Sequence, residues 1–186
     1  MKVFFTGSPR ALGKYRAEHE AIYRAIENFG ATNVSNLVIA ADPVKFYDRE
    51  HDEVVDHYKS TIKGVKEADV VVAEVSLHSM SMGYVVNKAL EFGKPVIVLY
   101  LPGFEPFFFS GINDEKLQIL EYEKNNVDKI LKKALASAQD QVDVRFNFFV
   151  SPQIMAFLDE VSKEKRVPRA VFIRELIENE MKKRGV

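Results

Sequence analysis

The chain has 186 residues, of which 47% are hydrophobic and 28% charged, and its formal net charge is −1. This composition excludes an intrinsically disordered chain, and the absence of cysteine excludes a disulfide scaffold, a thiol nucleophile and a thiolate metal site. No apolar run reaches the roughly 18 residues of a membrane helix, and the amino terminus lacks the apolar core of a secretory signal. We therefore expect a soluble cytoplasmic protein, and the sequence indicates neither a metal site nor a cofactor.

The first 140 residues alternate predicted strands with predicted helices. Short apolar runs, rich in β-branched residues, predict five strands, at residues 2–6, 36–40, 69–75, 95–101 and 116–120. Apolar residues at helical spacing predict the intervening helices, at residues 21–29, 48–68, 80–92 and 127–136. This alternation predicts an α/β fold, with a doubly wound, flavodoxin-like parallel sheet of five strands and a ligand crevice at the carboxyl ends of the strands.

The sequence pattern changes after residue 137. Residues 138–141 are small and polar, and they predict a linker between a domain at residues 1–137 and a second one at residues 142–186. In the second domain a segment of period two is followed by two helical stretches, which Val167 and Pro168 separate. One strand and two helices bury too little surface to be stable alone, so we expect this domain to form a dimer.

A loop after the first strand is a candidate anion site. Gly7, Ser8, Pro9 and Arg10 stand where the strand gives way to its helix, so backbone N–H groups and a helix N-terminus would face a bound anion. Ser8 adds a hydroxyl, and Arg10 adds a guanidinium suited to phosphate. The loop carries neither the GK[ST] of a P-loop nor a G-x-G-x-x-G fingerprint. From these residues alone, a turn with a surface arginine is an equal alternative.

Residues 2–137 contain, in this order, the segments FFTGSPR, EADVVVAEVS, SMSMGY and ALEFGKPVIVLY. Together these segments resemble the nucleoside 2-deoxyribosyltransferase family, and most closely its branch of deoxynucleoside 5′-monophosphate N-glycosidases. The resemblance implies a doubly wound α/β fold, a homodimer or higher homo-oligomer, and a nucleotide or nucleoside as the small-molecule partner. It also implies cleavage of the N-glycosidic bond of 2′-deoxyribonucleosides or their monophosphates.

The same resemblance implies roles for individual residues. Nucleotide-binding roles fall to six of them, namely Gly7, Ser8, Arg10, Asp69, Ser79 and Gly83. Asp69 matches the acid that opens the family's central strand, so it also takes a catalytic role. Val85 stands where the family has its catalytic Glu, and Phe4 stands where the monophosphate branch has a Tyr. A serine donated by the neighbouring subunit is expected near Glu105 and Pro106.

Residues 142–184 contain the strand VRFNFFV and the helical stretches SPQIMAFLDEVSKEK and VPRAVFIRELIENEM, and they resemble a ribbon-helix-helix domain. In that family two chains pair their strands, whose outward side chains enter the DNA major groove, and the second helix contacts phosphate. The resemblance implies DNA contacts by Arg145, Asn147, Phe149 and Arg169. Residues 142–186 carry a net charge of +2 and the rest of the chain −3, so charge alone leaves open both DNA binding and a simple dimerisation role.

Two functions from different classes follow from these observations. Valine cannot form a glycosyl ester, and the loss of an activated nucleophile lowers reaction rates by orders of magnitude. The first hypothesis is therefore a nucleotide- or nucleoside-binding protein derived from such an enzyme and coupled to a DNA-binding ribbon-helix-helix dimer, as a ligand-responsive regulator. The alternative is an active 2′-deoxynucleoside 5′-monophosphate N-glycosidase or deoxyribosyltransferase with a C-terminal oligomerisation module.

Overall fold

The computed structural model of the chain describes residues 1–140, 149–165 and 167–185. The chain divides into two compact units, Met1–Asp143 and Val144–Val186, and each has an apolar core of its own. None of the helices in these three ranges combines the length and apolarity that a membrane crossing requires.

The first unit is a parallel sheet with helices on both faces. Its strands are β1 (Lys2–Gly7), β2 (Thr32–Asn33), β3 (Val70–Glu74), β4 (Val96–Tyr100) and β5 (Leu117–Glu121). Its helices are α1 (Leu12–Asn28), α2 (Leu37–Ala40), α3 (His51–Glu67), α4 (Met80–Glu91), α5 (Phe107–Ser110) and α6 (Val127–Asp140). The spatial order β2-β1-β3-β4-β5 is that of a flavodoxin-like, doubly wound sheet. It confirms the predicted parallel sheet of five strands.

The central strand β3 is buried on both faces of the sheet. Val70 and Val72 belong to the apolar layer formed with α1 and α6, whereas Val71 and Ala73 belong to the layer formed with α3 and α4. Successive side chains of a strand point to opposite faces, which explains this division. A strand covered on both faces must be apolar almost without interruption, and this explains the sequence VVVA at the centre of the sheet.

Two predicted elements differ from the structure. The pattern predicts a strand at residues 36–40, but these residues contain the short helix α2, and the second strand is instead β2, which pairs with β1. The apolar run NLVIA is too short for its pattern to distinguish the two states. Helix α6 continues to Asp140, so residues 138–140 of the predicted linker are helical.

The second unit contains the helices α7 (Pro152–Lys165) and α8 (Arg169–Arg184). The Ser151 hydroxyl accepts a hydrogen bond from the Ile154 N–H at 3.3 Å, as a helix N-cap does. Leu158, Val161 and Phe172 form a small buried cluster between the helices. The two predicted helices and the break between them are therefore confirmed. Most of the predicted strand that precedes them lies outside the described residues.

Candidate functional site

The loops that follow β1 and β3 form a crevice at the carboxyl edge of the sheet. In the register of the two strands, Gly7 lies opposite Glu74, so the loops leave the sheet side by side. The loop after β3 leads directly into α4, whose N-cap is Ser79. This edge is where doubly wound sheets bind their ligands. The crevice has two parts, which we call the polar opening and the apolar cavity.

The polar opening combines hydroxyl groups with a guanidinium. Its lining comprises Ser8, Arg10, Tyr47, Tyr58, His78, Ser79, Met80, Ser81 and Tyr84. The hydroxyls of Ser79 and Ser81 lie 2.9 Å apart at the N-terminus of α4. The guanidinium of Arg10 stacks on the Tyr47 ring, 4.4 Å from its centre, and this contact restrains an otherwise exposed side chain. A helix N-terminus, serine hydroxyls and an arginine together suit an anion such as phosphate.

The apolar cavity lies behind the polar opening, between α3 and α4, and has a volume of about 200 Å³. Its lining comprises Thr6, Gly7, Pro9, Phe46, Val54, His57, Tyr58, Thr61, Ile62, Ser81, Met82, Tyr84 and Val85. The hydroxyls of Tyr58 and Tyr84 lie 3.0 Å apart, and both side chains line the opening as well as the cavity. An apolar cavity joined to an anion site suits a phosphorylated ligand with a flat or apolar body.

The lining of the cavity, all of it within the described residues, includes no carboxylate. Two side chains of the lining have shifted pKa values. Burial, reinforced by the nearby charge of Arg49, lowers the pKa of His57, so this imidazole is neutral at physiological pH. The hydrogen bond with Tyr58 raises the pKa of Tyr84, so this phenol stays protonated. The cavity therefore offers rings and hydroxyls to a ligand but no ionised nucleophile.

Two positions depart from the motif of the family that the sequence resembles: Val85 lies at this cavity, and Phe4 lies in the core beneath α3. Val85 is only 4% exposed and lines the cavity, so a carboxylate at this position would face the ligand. Phe4 is 2% exposed and packs beneath α3, where a Cβ atom on Gly64 would lie 2.5 Å from its ring. Phe4 therefore sets how closely α3 approaches β1, the strand whose loop lines the cavity.

Asp69 lies at the opposite edge of the sheet from the crevice. Its carboxylate accepts a hydrogen bond from the Lys2 N–H at 2.7 Å, and its own N–H donates to the Lys2 carbonyl at 2.8 Å. The length of β3 separates Asp69 from Glu74, which is about 16 Å for five residues of strand. The structure therefore contradicts the catalytic and nucleotide-binding roles predicted for Asp69, whose carboxylate instead fastens the start of β1 to β3.

The structure brings together some of the other predicted residues but not all of them. Gly7 lines the cavity, while Ser8, Arg10 and Ser79 line the polar opening. Gly83 lines neither of these two parts but a second groove, which Ser79 and α5 also line, and its N–H donates to the Ser79 carbonyl at 3.3 Å. Two aromatic side chains of α5, Phe107 and Phe108, are 80% and 90% exposed at this groove. The serine expected from a neighbouring subunit near Glu105 stays a prediction.

Two of the predicted DNA-contact residues can be located in the structure. Phe149 is fully exposed, and Arg169, the first residue of α8, forms an ion pair with Asp159 of α7. Arg145 and Asn147 lie outside the described residues. The DNA contacts implied by the resemblance stay a prediction for all four residues.

Sequence reasoning missed the contribution of α3 to the site. Tyr58 and Thr61 of this helix line the cavity, and the buried Thr61 hydroxyl has no hydrogen-bond partner within the described residues. The apolar stripe of α3 predicts a helix face that packs on the sheet. Val65, in the last turns, is fully buried, but Val54, in the first turn, is half exposed. The apolar stripe of α3 therefore includes the residues that line the cavity, but the pattern alone does not distinguish residues of the core from residues of a cavity wall.

Comparison with known proteins gives the family. No family model matches the chain. A protein of Syntrophotalea carbinolica, provisionally named 2′-deoxynucleoside 5′-phosphate N-hydrolase 1, is 30% identical over 138 residues, which are 73% of this chain and 95% of the relative. The 5-hydroxymethyl-dUMP N-hydrolase of Homo sapiens is 24% identical over 133 residues, 69% of this chain and 76% of the relative. A solved structure, the CMP N-glycosidase BcmB of Clostridium botulinum, aligns with 70% of this chain and 98% of its own, at a TM-score of 0.49 and 15% identity. On the identity and coverage of the first relative, the chain belongs to the 2′-deoxynucleoside 5′-phosphate N-hydrolase family.

Proposed function

We propose that the first unit binds a 2′-deoxynucleoside 5′-monophosphate without hydrolysing it efficiently, and that the second unit is a DNA-binding dimer that responds to this ligand. The first part rests on one observation above all. A cavity that opens onto an anion site is lined by Val85 and, within the described residues, by no carboxylate.

The two parts of the crevice match the two parts of such a ligand. The phosphate lies in the polar opening, against Ser8, Arg10 and Ser79, and the sugar and base lie in the cavity. Tyr58 and Tyr84 line both parts, so their rings flank the sugar between phosphate and base. The Thr61 hydroxyl, buried and unpaired within the described residues, is available to a polar atom of the ligand. The names of both relatives specify 5′-phosphorylated substrates, which supports a monophosphate over a nucleoside.

The same cavity lacks the groups that cleave an N-glycosidic bond. Enzymes that break glycosidic bonds place carboxylates beside the anomeric carbon, to attack it or to stabilise its positive charge. Val85 cannot do this, and the raised pKa of Tyr84 keeps that phenol from acting as an anion. Loss of the nucleophile costs about three orders of magnitude or more in rate. Binding does not depend on that group and is retained.

The experiment combines calorimetric binding of deoxyuridine 5′-monophosphate (dUMP) with chromatography of released uracil, on the full chain. We expect the wild-type protein to bind dUMP and to release no uracil above background. Val85→Glu should release uracil, whereas Val85→Gln, which has the same size and no charge, should not. The proposal is refuted if the wild-type protein releases uracil and Val85→Glu does not increase the rate of release.

The second part of the proposal rests on the surface of the second unit. Large apolar side chains of α7 and α8 are about half exposed in the single chain, namely Ile154, Phe157, Leu176, Ile177 and Met181. A unit with so small a core and so much exposed apolar surface needs a partner to cover it. The partner that we propose is the same surface of a second copy, because pairing of two strands in a ribbon-helix-helix dimer would bring these helices together.

Two measurements test the dimer and its DNA contacts. Sedimentation should show a dimer that Ile177→Lys converts to monomers, while the neighbouring change Glu178→Lys leaves it intact. Fluorescence anisotropy with genomic DNA fragments should show binding that weakens with salt, that Arg145→Ala reduces and that dUMP alters. A monomeric wild type, or the absence of DNA binding at low salt, would refute this part of the proposal.

An active N-hydrolase is the second candidate, and the 30% identity to a relative with that name favours it. In that case wild-type protein would release uracil from dUMP at a rate that Val85→Glu leaves unchanged. The chromatographic assay above therefore decides between the two candidates.

A further inference from the structure

Three titratable side chains lie buried together directly beneath the crevice. His19 of α1 and Glu74 of β3 are inaccessible to solvent, and the distance from His19 Nε2 to Glu74 Oε2 is 3.6 Å. Tyr122, just after β5, is also fully buried; its hydroxyl lowers the pKa of Glu74 but makes no hydrogen bond within the described residues. None of the three lines the cavity or the polar opening, so neither part of the proposed function uses them.

The hydrogen bonds around this cluster show where a proton must lie. His19 Nδ1 is 2.7 Å from the carbonyl oxygen of Tyr15, and since a carbonyl only accepts, Nδ1 carries a hydrogen. Glu74 Oε1 accepts the Ser76 N–H at 3.1 Å and also the Ser76 hydroxyl. His19 Nε2 and Glu74 Oε2 are left facing each other, and neither has a hydrogen-bond partner within the described residues.

Two unprotonated atoms in this arrangement would leave two lone pairs facing each other in a buried space, which is costly. One proton on either atom removes this cost. A proton on Nε2 makes an imidazolium–carboxylate pair, and a proton on Oε2 makes a neutral carboxyl beside a neutral imidazole. In both forms the pair has no net charge, and one proton lies between Nε2 and Oε2.

The cluster also contacts both loops of the polar opening. The His19 ring lies against the backbone of Gly7, where an added Cβ atom would be 2.8 Å from Nε2. On the other side, the Ser76 hydroxyl that Glu74 holds accepts the Leu101 N–H at 2.8 Å, which ties the loop after β3 to the end of β4. Ser76 precedes Ser79 by three residues. The positions of Ser8 and Ser79 therefore depend on the same buried pair.

We propose that His19 and Glu74 hold one shared proton between Nε2 and Oε2, and that this proton positions the Gly7 and Ser76 loops for phosphate binding. The two residues are positioning residues, since neither touches the ligand. The second clause rests on the proposed function, because it takes the polar opening as the phosphate site. Loss of the proton would push the carboxylate and the imidazole apart, and the imidazole would move against Gly7.

The surroundings of the pair favour retention of the proton. Burial raises the pKa of Glu74, against the opposing effects of Ser76 and His19. Burial likewise raises the pKa of Tyr122 far above its usual range, so this phenol stays protonated. The other titratable groups that act on the cluster are Glu18 and Tyr15, through Tyr122.

The first test is a titration of the free protein by ¹⁵N NMR of its histidine rings. We expect the two ring nitrogens of His19 to keep constant chemical shifts between about pH 5.5 and pH 8, a range that spans the ordinary histidine pKa of about 6.5. Titration of His19 within this range would overturn the shared proton.

The second test uses variants and a ratio of affinities. His19→Phe leaves Glu74 with no partner for its proton. At about pH 8 we expect this variant to bind dUMP about tenfold or more weakly than wild type, a difference of about 1.4 kcal/mol. At about pH 5.5 the buried carboxyl takes a proton from solvent, and the ratio of the two affinities should return to within about threefold. The ratio cancels the ionisation of the phosphate itself.

A matched variant separates positioning from packing. Glu74→Gln keeps hydrogen on this side of the pair at every pH, so its affinity ratio to wild type should stay within about threefold at both pH values. If His19 only fills space, the ratio for His19→Phe will be the same at both pH values, and the proposal is overturned.

Failure of this inference and failure of the proposed function can be distinguished. If wild-type protein binds no dUMP, the proposed function fails and so does the link to phosphate. The His19 ring signals of the free protein still show whether the pair holds a shared proton. The backbone amide signals of Gly7 and Ser8, which should move with pH in His19→Phe and not in Glu74→Gln, still decide its effect on the loop.

Discussion

The packing of Phe4 against Gly64 makes a sharp prediction about stability. Gly64 lies on α3, and a Cβ atom there would be 2.5 Å from one carbon of the Phe4 ring and 2.7 Å from another. Comfortable contact between two carbon atoms requires about 3.5–4.0 Å. The ring is 2% exposed and sits within the core layer, so it cannot swing into solvent. Gly64→Ala must therefore push α3 away from β1 by about an ångström.

Two opposing free energies set the size of this effect. Overpacking of a core costs about 1–3 kcal/mol, and the depth of the clash places Gly64→Ala at the upper end. Alanine in place of glycine within a helix returns about 1 kcal/mol. The net expectation is a loss of about 1–2 kcal/mol, which lowers the melting temperature of a chain of this size by about 3–6 °C.

Thermal unfolding followed by circular dichroism measures this change. Gly13→Ala in α1 is the control, because no heavy atom of the described residues that could obstruct it lies within 4 Å of the added Cβ, and it should not lower stability. Phe4→Leu should restore part of the stability of Gly64→Ala, since the smaller side chain vacates the contested space. The reasoning is refuted if Gly64→Ala is as stable as Gly13→Ala, or if Phe4→Leu makes it worse.

Three further predictions concern the crevice and the buried pair. Arg10→Lys keeps the charge but loses the paired N–H donors and the stacking on Tyr47, so calorimetry should show about tenfold weaker binding of dUMP and unchanged binding of deoxyuridine. Tyr58→Phe removes the hydrogen bond that raises the pKa of Tyr84, so ultraviolet titration should show Tyr84 ionising at lower pH than in wild type. Because the pKa of Glu74 is raised in the folded protein, its protonation stabilises the fold. This stabilisation is fully present below the ordinary carboxyl pKa, and it is lost as the pH rises through the pKa of Glu74 in the folded protein. Denaturant unfolding should therefore show wild type losing up to about 1.4 kcal/mol per pH unit relative to Glu74→Gln over that interval.

The sheet could be predicted from the sequence because its strands carry an unambiguous pattern. The run DVVVAEV is apolar on both faces, and only a central strand buries both faces of a short segment. The run NLVIA is also apolar, yet it contains a helix, and β2 occupies the edge beside β1 instead. Which of two short segments pairs with an edge strand depends on contacts distant in the sequence, and local pattern does not contain them.

The candidate site could likewise be predicted only in part. The loop from Gly7 to Arg10 could be predicted, since its position after the first strand of a parallel sheet already places it at the crevice. The position of Asp69 could have been excluded by the same rule. A residue that opens a parallel strand lies at the amino edge of the sheet, opposite the crevice, whatever motif surrounds it. The α3 residues that wall the cavity could not be found, because Tyr58 continues the apolar stripe that buries Val65.

The identity of residue 85 affects stability as well as chemistry. Burial of a valine side chain contributes about 1.5–3 kcal/mol, and Val85 obtains nearly all of it at 4% exposure. A glutamate in the same place would have its pKa raised by burial, and each unit of that rise costs about 1.4 kcal/mol at neutral pH. A rise of two units would thus cost about 3 kcal/mol, comparable with the whole gain from the valine. A catalytic carboxylate here would therefore lower the stability of the fold and serve only the reaction, whereas valine stabilises the fold directly. A chain that only has to bind its ligand has a physical reason to carry valine at this position, and one that must cleave it does not.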